Sequence, residues 1–397
     1  MSISLSFGKP VVVAQGPTWE EAGWGTHQFP MIRELPDGRI AISYHIVGDT
    51  TEDYGLERGW AVSADRGESW SPVSPEELPA VKARFGTRLP SGRYLRGVTP
   101  KPFPIDDALH ASLTQKVGRR KFCLGVEEIP DGLFEKDKWR FAISEPDSLT
   151  ETEFFSDLEF PGMTLGLTTG AIIRPFAFGP IRVAPDGSIW IAHYCHGRNP
   201  ENLGFTSYYA CYYFRSTDEG RSFHLRSWIQ YLPDTRDFPD AFTTEGFCEP
   251  DICFMPDGSM ITLMRTGSLT PSYLARSTDG GTSWSKPVLF DRCGVLPQLQ
   301  PLGCGVTLAS YGRPGLYVRA TQDPSGMDWE QPYELMPYCP DRLSCDSCCY
   351  THMLPLDDRT AMLTYTDFNV PDAQGVRRKS VMVRTIHVDS LGGRHEN

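Results

Sequence analysis

Positive charge is scarce in this sequence. Its 38 Lys and Arg stand against 50 Asp and Glu, a formal net charge of -12 with a pI near 5.3. The basic footprint of a nucleic-acid binder is therefore missing, and no nucleic-acid partner is expected. A chain of this sign repels anions at long range, so an anionic ligand must be held by arginine or lysine gathered locally. Long apolar runs are also missing. None approaches the roughly 20 residues of a membrane span, so no membrane partner is expected. Residues 1–13 show no basic stretch leading into a long apolar core, which gives the expectation of no secretory leader and a cytoplasmic location. Cysteine is present at 11 residues, but without the spacing of a zinc site. Cys345, Cys348 and Cys349 form a CxxCC cluster with Cys339 upstream, and no second CxxC or spaced His pair accompanies it. Reduced, mostly buried thiols are the expectation, and no motif demands a metal or cofactor.

What the sequence does have is repetition. It has 397 residues, 40% hydrophobic and 22% charged, which is globular composition. A turn signal recurs at Leu35-Pro36-Asp37-Gly38, Leu89-Pro90-Ser91-Gly92, Ala184-Pro185-Asp186-Gly187, Met255-Pro256-Asp257-Gly258, Leu302-Gly303-Cys304-Gly305 and Leu356-Asp357-Asp358. Strand-like runs such as 39–44, 188–193 and 259–264 follow. Glycine at the end of such a turn accepts positive φ without a Cβ clash, so each is read as a hairpin. Six hairpins divide the chain into sheet units of about 66 residues, near the upper end of propeller periods.

A second, independent signal is Ser-x-Asp-x-Gly-x-Ser-aromatic. It runs through Ser63, Asp65, Gly67, Ser69 and Trp70, then Ser216, Asp218, Gly220, Ser222 and Phe223, then Ser277, Asp279, Gly281, Ser283 and Trp284. The Asp can bond backbone N–H groups of the turn, the Gly permits a left-handed conformation, and the aromatic packs into the sheet. This pattern is the Asp-box, also called the BNR repeat, and through it the chain resembles the sialidase (neuraminidase) superfamily. The resemblance implies an all-β fold: a single six-bladed β-propeller domain over residues 1–397, with four-stranded antiparallel blades near 27–72, 85–150, 172–229, 245–290, 294–338 and 345–388. Residues 9–15 are read as a strand that completes the last blade and closes the ring. Residues 99–104 and 151–168 are read as loops or inserts.

The same resemblance nominates site residues. Sialidases grip a sugar carboxylate with arginines and use tyrosine as the nucleophile. Glu249, in Phe247-Cys248-Glu249-Pro250-Asp251, matches the carboxylate that activates the tyrosine, and Arg265 one of the three carboxylate-binding arginines. Tyr350, in Cys349-Tyr350-Thr351-His352-Met353-Leu354, matches the nucleophile, and Arg313, in Tyr311-Gly312-Arg313-Pro314-Gly315, the third arginine. The first arginine is replaced: in His27-Gln28-Phe29-Pro30, Gln28 stands where it is expected. Arg33 lies an odd number of positions along the same strand and should face the other side. Asp53, or Asp49 in the same loop, is the candidate acid/base. His193, His196 and Arg198 end a strand that opens on the same face, and are read as substrate contacts in preference to metal ligands. Arg174, His45 and Asp367 are further rim candidates. The implied activity is an exo-acting glycoside hydrolase removing a terminal acidic sugar from glycans, with a carbohydrate as partner. A polysaccharide lyase or uronate-specific enzyme on the same pocket, and a non-catalytic glycan- or protein-binding propeller, stay open.

Overall fold

The computed structural model describes residues 3–117, 123–339 and 346–391. Cys345, in the CxxCC cluster and at the start of the expected last blade, lies outside them. The chain is nearly all β and divides into two compact units. One comprises residues 1–48, 57–81 and 251–397, the other 49–56 and 82–250. No helix among the described residues is long and apolar enough to cross a membrane.

The first unit holds four antiparallel sheets, three of them with their strands in sequential order. One is Gln28–Glu34, Ile40–His45, Arg58–Ser63 and Ser71–Pro72. Another is Cys248–Phe254, Met260–Arg265, Ser272–Ser277 and Val288–Asp291, its first strand entering across the unit boundary after Pro250. A third is Val295–Pro301, Thr307–Gly312, Leu316–Thr321 and Tyr333–Met336. The last is His352–Pro355, Thr360–Pro371 and Arg377–Ser390, completed by Ser4–Phe7 and Val11–Gln15, which both pair with Arg377–Ser390. The N-terminal strand expected at 9–15 is thus in the last sheet, and a second strand precedes it.

The second unit departs from separate four-stranded sheets. Thr152–Glu159 pairs antiparallel with Lys138–Ser144 and parallel with Ser222–Gln230. Two four-stranded groups are thereby joined into one eight-stranded sheet. A smaller four-stranded sheet contains Cys123–Gly125, Thr164–Thr168, Ala171–Ile172 and Phe103–Pro104. Residues 151–168 are therefore largely strand, where the sequence reading expects loop. Trp139, Phe141, Phe214 and Phe223 centre this unit's core, with Trp139 4.9 Å from Phe214 and 5.6 Å from Phe223.

The recurring turns form as their residues dictate. In five of them the glycine N–H donates to the carbonyl three residues earlier, at 2.9–3.0 Å, with φ between +82° and +88°. The three Ser-x-Asp-x-Gly turns share one bonding scheme. In the first, Ser63 Oγ donates to Asp65 (2.8 Å) and accepts from Gly67 N–H (2.8 Å), while Ser69 N–H donates to Asp65 (2.9 Å). The turns at Asp218 and Asp279 repeat these bonds. A fourth, degenerate copy escapes the sequence pattern. Asp323 accepts from Ser325, Met327 and Asp328 N–H, and Trp329 Nε1 donates to Gly326 O (2.8 Å), as Trp70 Nε1 does to Gly67 O (3.2 Å).

Candidate active site

In the first unit, one end of the Gln28–Glu34 sheet sets Gln28, His45 and Arg58 abreast, Gln28 opposite His45 and His45 opposite Arg58. His27 and Phe29 take φ of +54° and +52°, and the register shifts between Gln28 and Met31. That shift interrupts the simple alternation that sets Arg33 on the other face. Phe29 meets His45 and Tyr350 edge-on, each at 4.9 Å. Gln28 is fully buried, and neither its Nε2 nor its Oε1 has a hydrogen-bond partner among the described residues. A buried primary amide with all its capacity unused is rare, because leaving it so costs about 1–3 kcal/mol.

Around Tyr350 the arginines gather. Arg265, buried at the end of its strand, donates from Nη1 to the Tyr350 hydroxyl at 3.1 Å. Arg313, also buried, lies 5.2 Å from the Tyr350 ring and 5.0 Å from the Trp24 ring. Its Nη2 donates to Cys348 O (2.8 Å) and its Nη1 to Ser268 Oγ (3.3 Å), and no carboxylate pairs with it among the described residues. Backbone strain marks this cluster at Arg313, with φ +61°, and at Cys349 immediately before Tyr350, with +58°; in the second unit Glu249 has +47°. Left-handed backbone on non-glycine residues costs energy and collects at functional sites. Burial pushes the Cys349 thiol up to about 12, so it is a neutral packing group at neutral pH.

Glu249 is buried and belongs to the second unit, near the start of Cys248–Phe254. That unit also holds a cavity of about 190 Å³, lined among others by Tyr54, Arg174, Phe178, His193, His196 and Tyr209. His193 accepts the Phe178 N–H at Nδ1 (3.4 Å), and burial lowers its pKa to about 4, so it is neutral with its proton on Nε2. His196 stacks on Tyr209 at 3.8 Å. The cavity thus unites His193, His196 and Arg174. Arg198 is engaged within its own unit: it pairs with Glu127 and covers the Phe205 ring at 4.3 Å. Arg174 donates to Lys101 O at 2.7 Å. Asp53 accepts from Thr50 N–H (3.0 Å) and Oγ1 (2.9 Å), capping the short helix Thr51–Asp53. In the first unit, burial raises the Asp367 pKa, and its carboxylate accepts from Asn369 N–H at 2.8 Å. No group of three or more His, Cys, Asp or Glu gathers for a metal among the described residues.

Sequence reasoning misses Trp24, Phe29 and Ser268, which surround Tyr350 and Arg313, and misses Arg58. Arg58 donates from Nη2 to Phe29 O at 2.8 Å. Its only sequence signal is its place at the start of a third strand, visible once the pairing with His45 is known.

Neither any protein-family model nor any curated protein matches the sequence. Solved structures do match. A protein of unknown function from Dyadobacter fermentans DSM 18053 superposes with a TM-score of 0.66 at 15% identity, over 97% of this chain and 99% of that one. An alpha-L-arabinanase of Penicillium chrysogenum, complexed with arabinobiose, gives 0.53 at 13% identity, over 95% and 98%. The NanB sialidase of Streptococcus pneumoniae, as its K499G mutant, gives 0.53 at 13% identity, over 96% and 70%. The likeness is one of fold: a sialidase-like β-propeller. At such identities it assigns no activity.

Proposed function

We propose that the chain is an exo-acting glycoside hydrolase of the sialidase-like type, removing a terminal acidic sugar, and that it folds as one six-bladed propeller domain built on Asp-box repeats. The observation that carries this reading is the Tyr350 hydroxyl held by Arg265, with Arg313 against its ring and no carboxylate pairing Arg313 among the described residues. A guanidinium donating to a phenol oxygen stabilises negative charge developing there. A buried arginine without a counter-ion favours an anion from outside.

In this reading the Tyr350 oxygen attacks the anomeric carbon and Glu249 takes its proton. Asp53, or Asp49 beside it, protonates the departing glycosidic oxygen. Water then breaks the glycosyl–tyrosine bond, giving its proton to the same acid now acting as base while Glu249 returns its proton to the departing Tyr350 oxygen, so configuration is retained. Arg265 and Arg313 hold the sugar carboxylate, Gln28 donates to it from its unused amide, and His193 and His196 contact the rest of the glycan, with Arg198 able to join them only by releasing Glu127.

The test is cleavage of aryl α-sialosides, uronides, rhamnosides and arabinosides, with Glu249→Gln as control. The arabinosides are included because one fold relative is an arabinanase. The reading expects release from an acidic glycoside, lost in the variant. Release from neutral glycosides alone, or equal turnover by Glu249→Gln, contradicts it.

A further inference from the structure

Where an arginine is expected at position 28, the chain has an uncharged amide, and a guanidinium arrives there from another strand. We propose that Arg58 supplies the missing cation of the carboxylate-binding site, reaching across the sheet to the strand start that Gln28 occupies. The inference rests on the acidic-sugar reading above and adds to it a residue that neither the sequence pattern nor the resemblance nominates.

The geometry is specific. Arg58 opens the third strand of its sheet and stands opposite His45, which stands opposite Gln28. Its side chain passes the intervening strand and donates from Nη2 to Phe29 O at 2.8 Å and to Ser43 O at 3.4 Å. The left-handed Phe29, at φ +52°, supplies that first carbonyl. The guanidinium is therefore fixed beside residues 28 and 29, and the Phe29 ring lies 4.9 Å from Tyr350.

Two carbonyls orient Arg58 but do not neutralise it. No carboxylate pairs with it among the described residues, and Nε is buried with no acceptor. Burial lowers its pKa to about 10, which leaves it charged at neutral pH. A held cation with a spare donor, next to a buried glutamine amide whose donor is also spare, matches the two oxygens of one carboxylate. Acidic side chains are plentiful in a chain of net charge -12, and none pairs with Arg58 among the described residues.

The test is calorimetric binding to the full-length chain. The probes are 2,3-didehydro-2-deoxy-N-acetylneuraminic acid and D-glucuronic acid, each beside its methyl ester. The acid should bind wild type more tightly than the ester. Arg58→Gln should weaken the acid by about 10–100-fold, the worth of one charged hydrogen bond, and leave the ester nearly unchanged. Adding Gln28→Arg to that variant should restore the preference for the acid, which a merely structural Arg58 would not allow. If Arg58→Gln fails to fold, Arg58→Lys carries the test: a lowered acid-to-ester ratio supports the assignment. An unchanged ratio in either variant, or no rescue, overturns Arg58 while the acidic-sugar reading stands. Wild type binding neither acid better than its ester overturns both.

Discussion

A histidine that accepts a backbone hydrogen bond at Nδ1 is a neutral histidine, and His193 is such a residue. Its bond from Phe178 N–H and its burial beside Trp139, 5.4 Å away, both disfavour protonation. Its folded pKa of about 4 lies below the ordinary 6.5. Folded protein then binds fewer protons than unfolded protein between these values, so this stability is present above pH 6.5 and is lost as pH falls towards 4. The loss is capped at roughly 3 kcal/mol. Urea unfolding of His193→Gln should show a smaller decline between pH 7 and pH 4 than wild type; an equal decline would remove His193 as the cause. At this scale the sequence is a partial guide. It puts Tyr350, Arg265 and Arg313 on the list, and they meet in one unit. It cannot foresee that Glu127 occupies Arg198 or that Asp53 caps Thr50, because those partners depend on loop conformations. Arg58 is hidden for a related reason: the side chain acts two strands from its own.

Among elements, the short turns are the most legible, because their geometry is local. Glycine and aspartate at fixed spacing suffice to specify them. Asp65 shows how firmly. The Ser69 side chain and then its backbone N–H bond the carboxylate, holding its pKa at about 2. A depressed carboxylate pKa gives stability present above the unfolded value near 4 and lost as pH falls through about 2. Asp65→Asn should therefore lower the urea midpoint at pH 7, and the gap to wild type should narrow between pH 4 and pH 2. A gap constant across that window would show that the charge contributes nothing. The strand Thr152–Glu159 is the opposite case. Ser156 is its only buried residue, and the side chains around it are exposed or half-exposed. Without an apolar alternation the period-2 signal disappears, and only pairing with Lys138–Ser144 and Ser222–Gln230 makes it a strand. The fourth Asp turn escapes the pattern because Pro324 and Ser325 displace its glycine to position 326, although the Trp329 indole still donates to Gly326 O as Trp70 does to Gly67 O.

At the scale of the molecule, the fold was legible from recurrence, since a turn repeated along the chain implies repeated sheets whatever each does alone. The substrate was not, because specificity resides in a few charges. A protein of net charge -12 that buries Arg265 and Arg313 against one tyrosine, and holds Arg58 at the Phe29 carbonyl, concentrates its scarce cations where an anion would sit. The central claim is that Tyr350 attacks the sugar that these cations hold. The most direct test is the kinetics of Tyr350→Phe on the acidic glycoside that wild type cleaves. The substitution removes one oxygen and leaves the ring against Phe29 and Arg313. The account predicts that kcat falls by at least about 10³-fold while KM changes little. Turnover by Tyr350→Phe at the wild-type rate would contradict it.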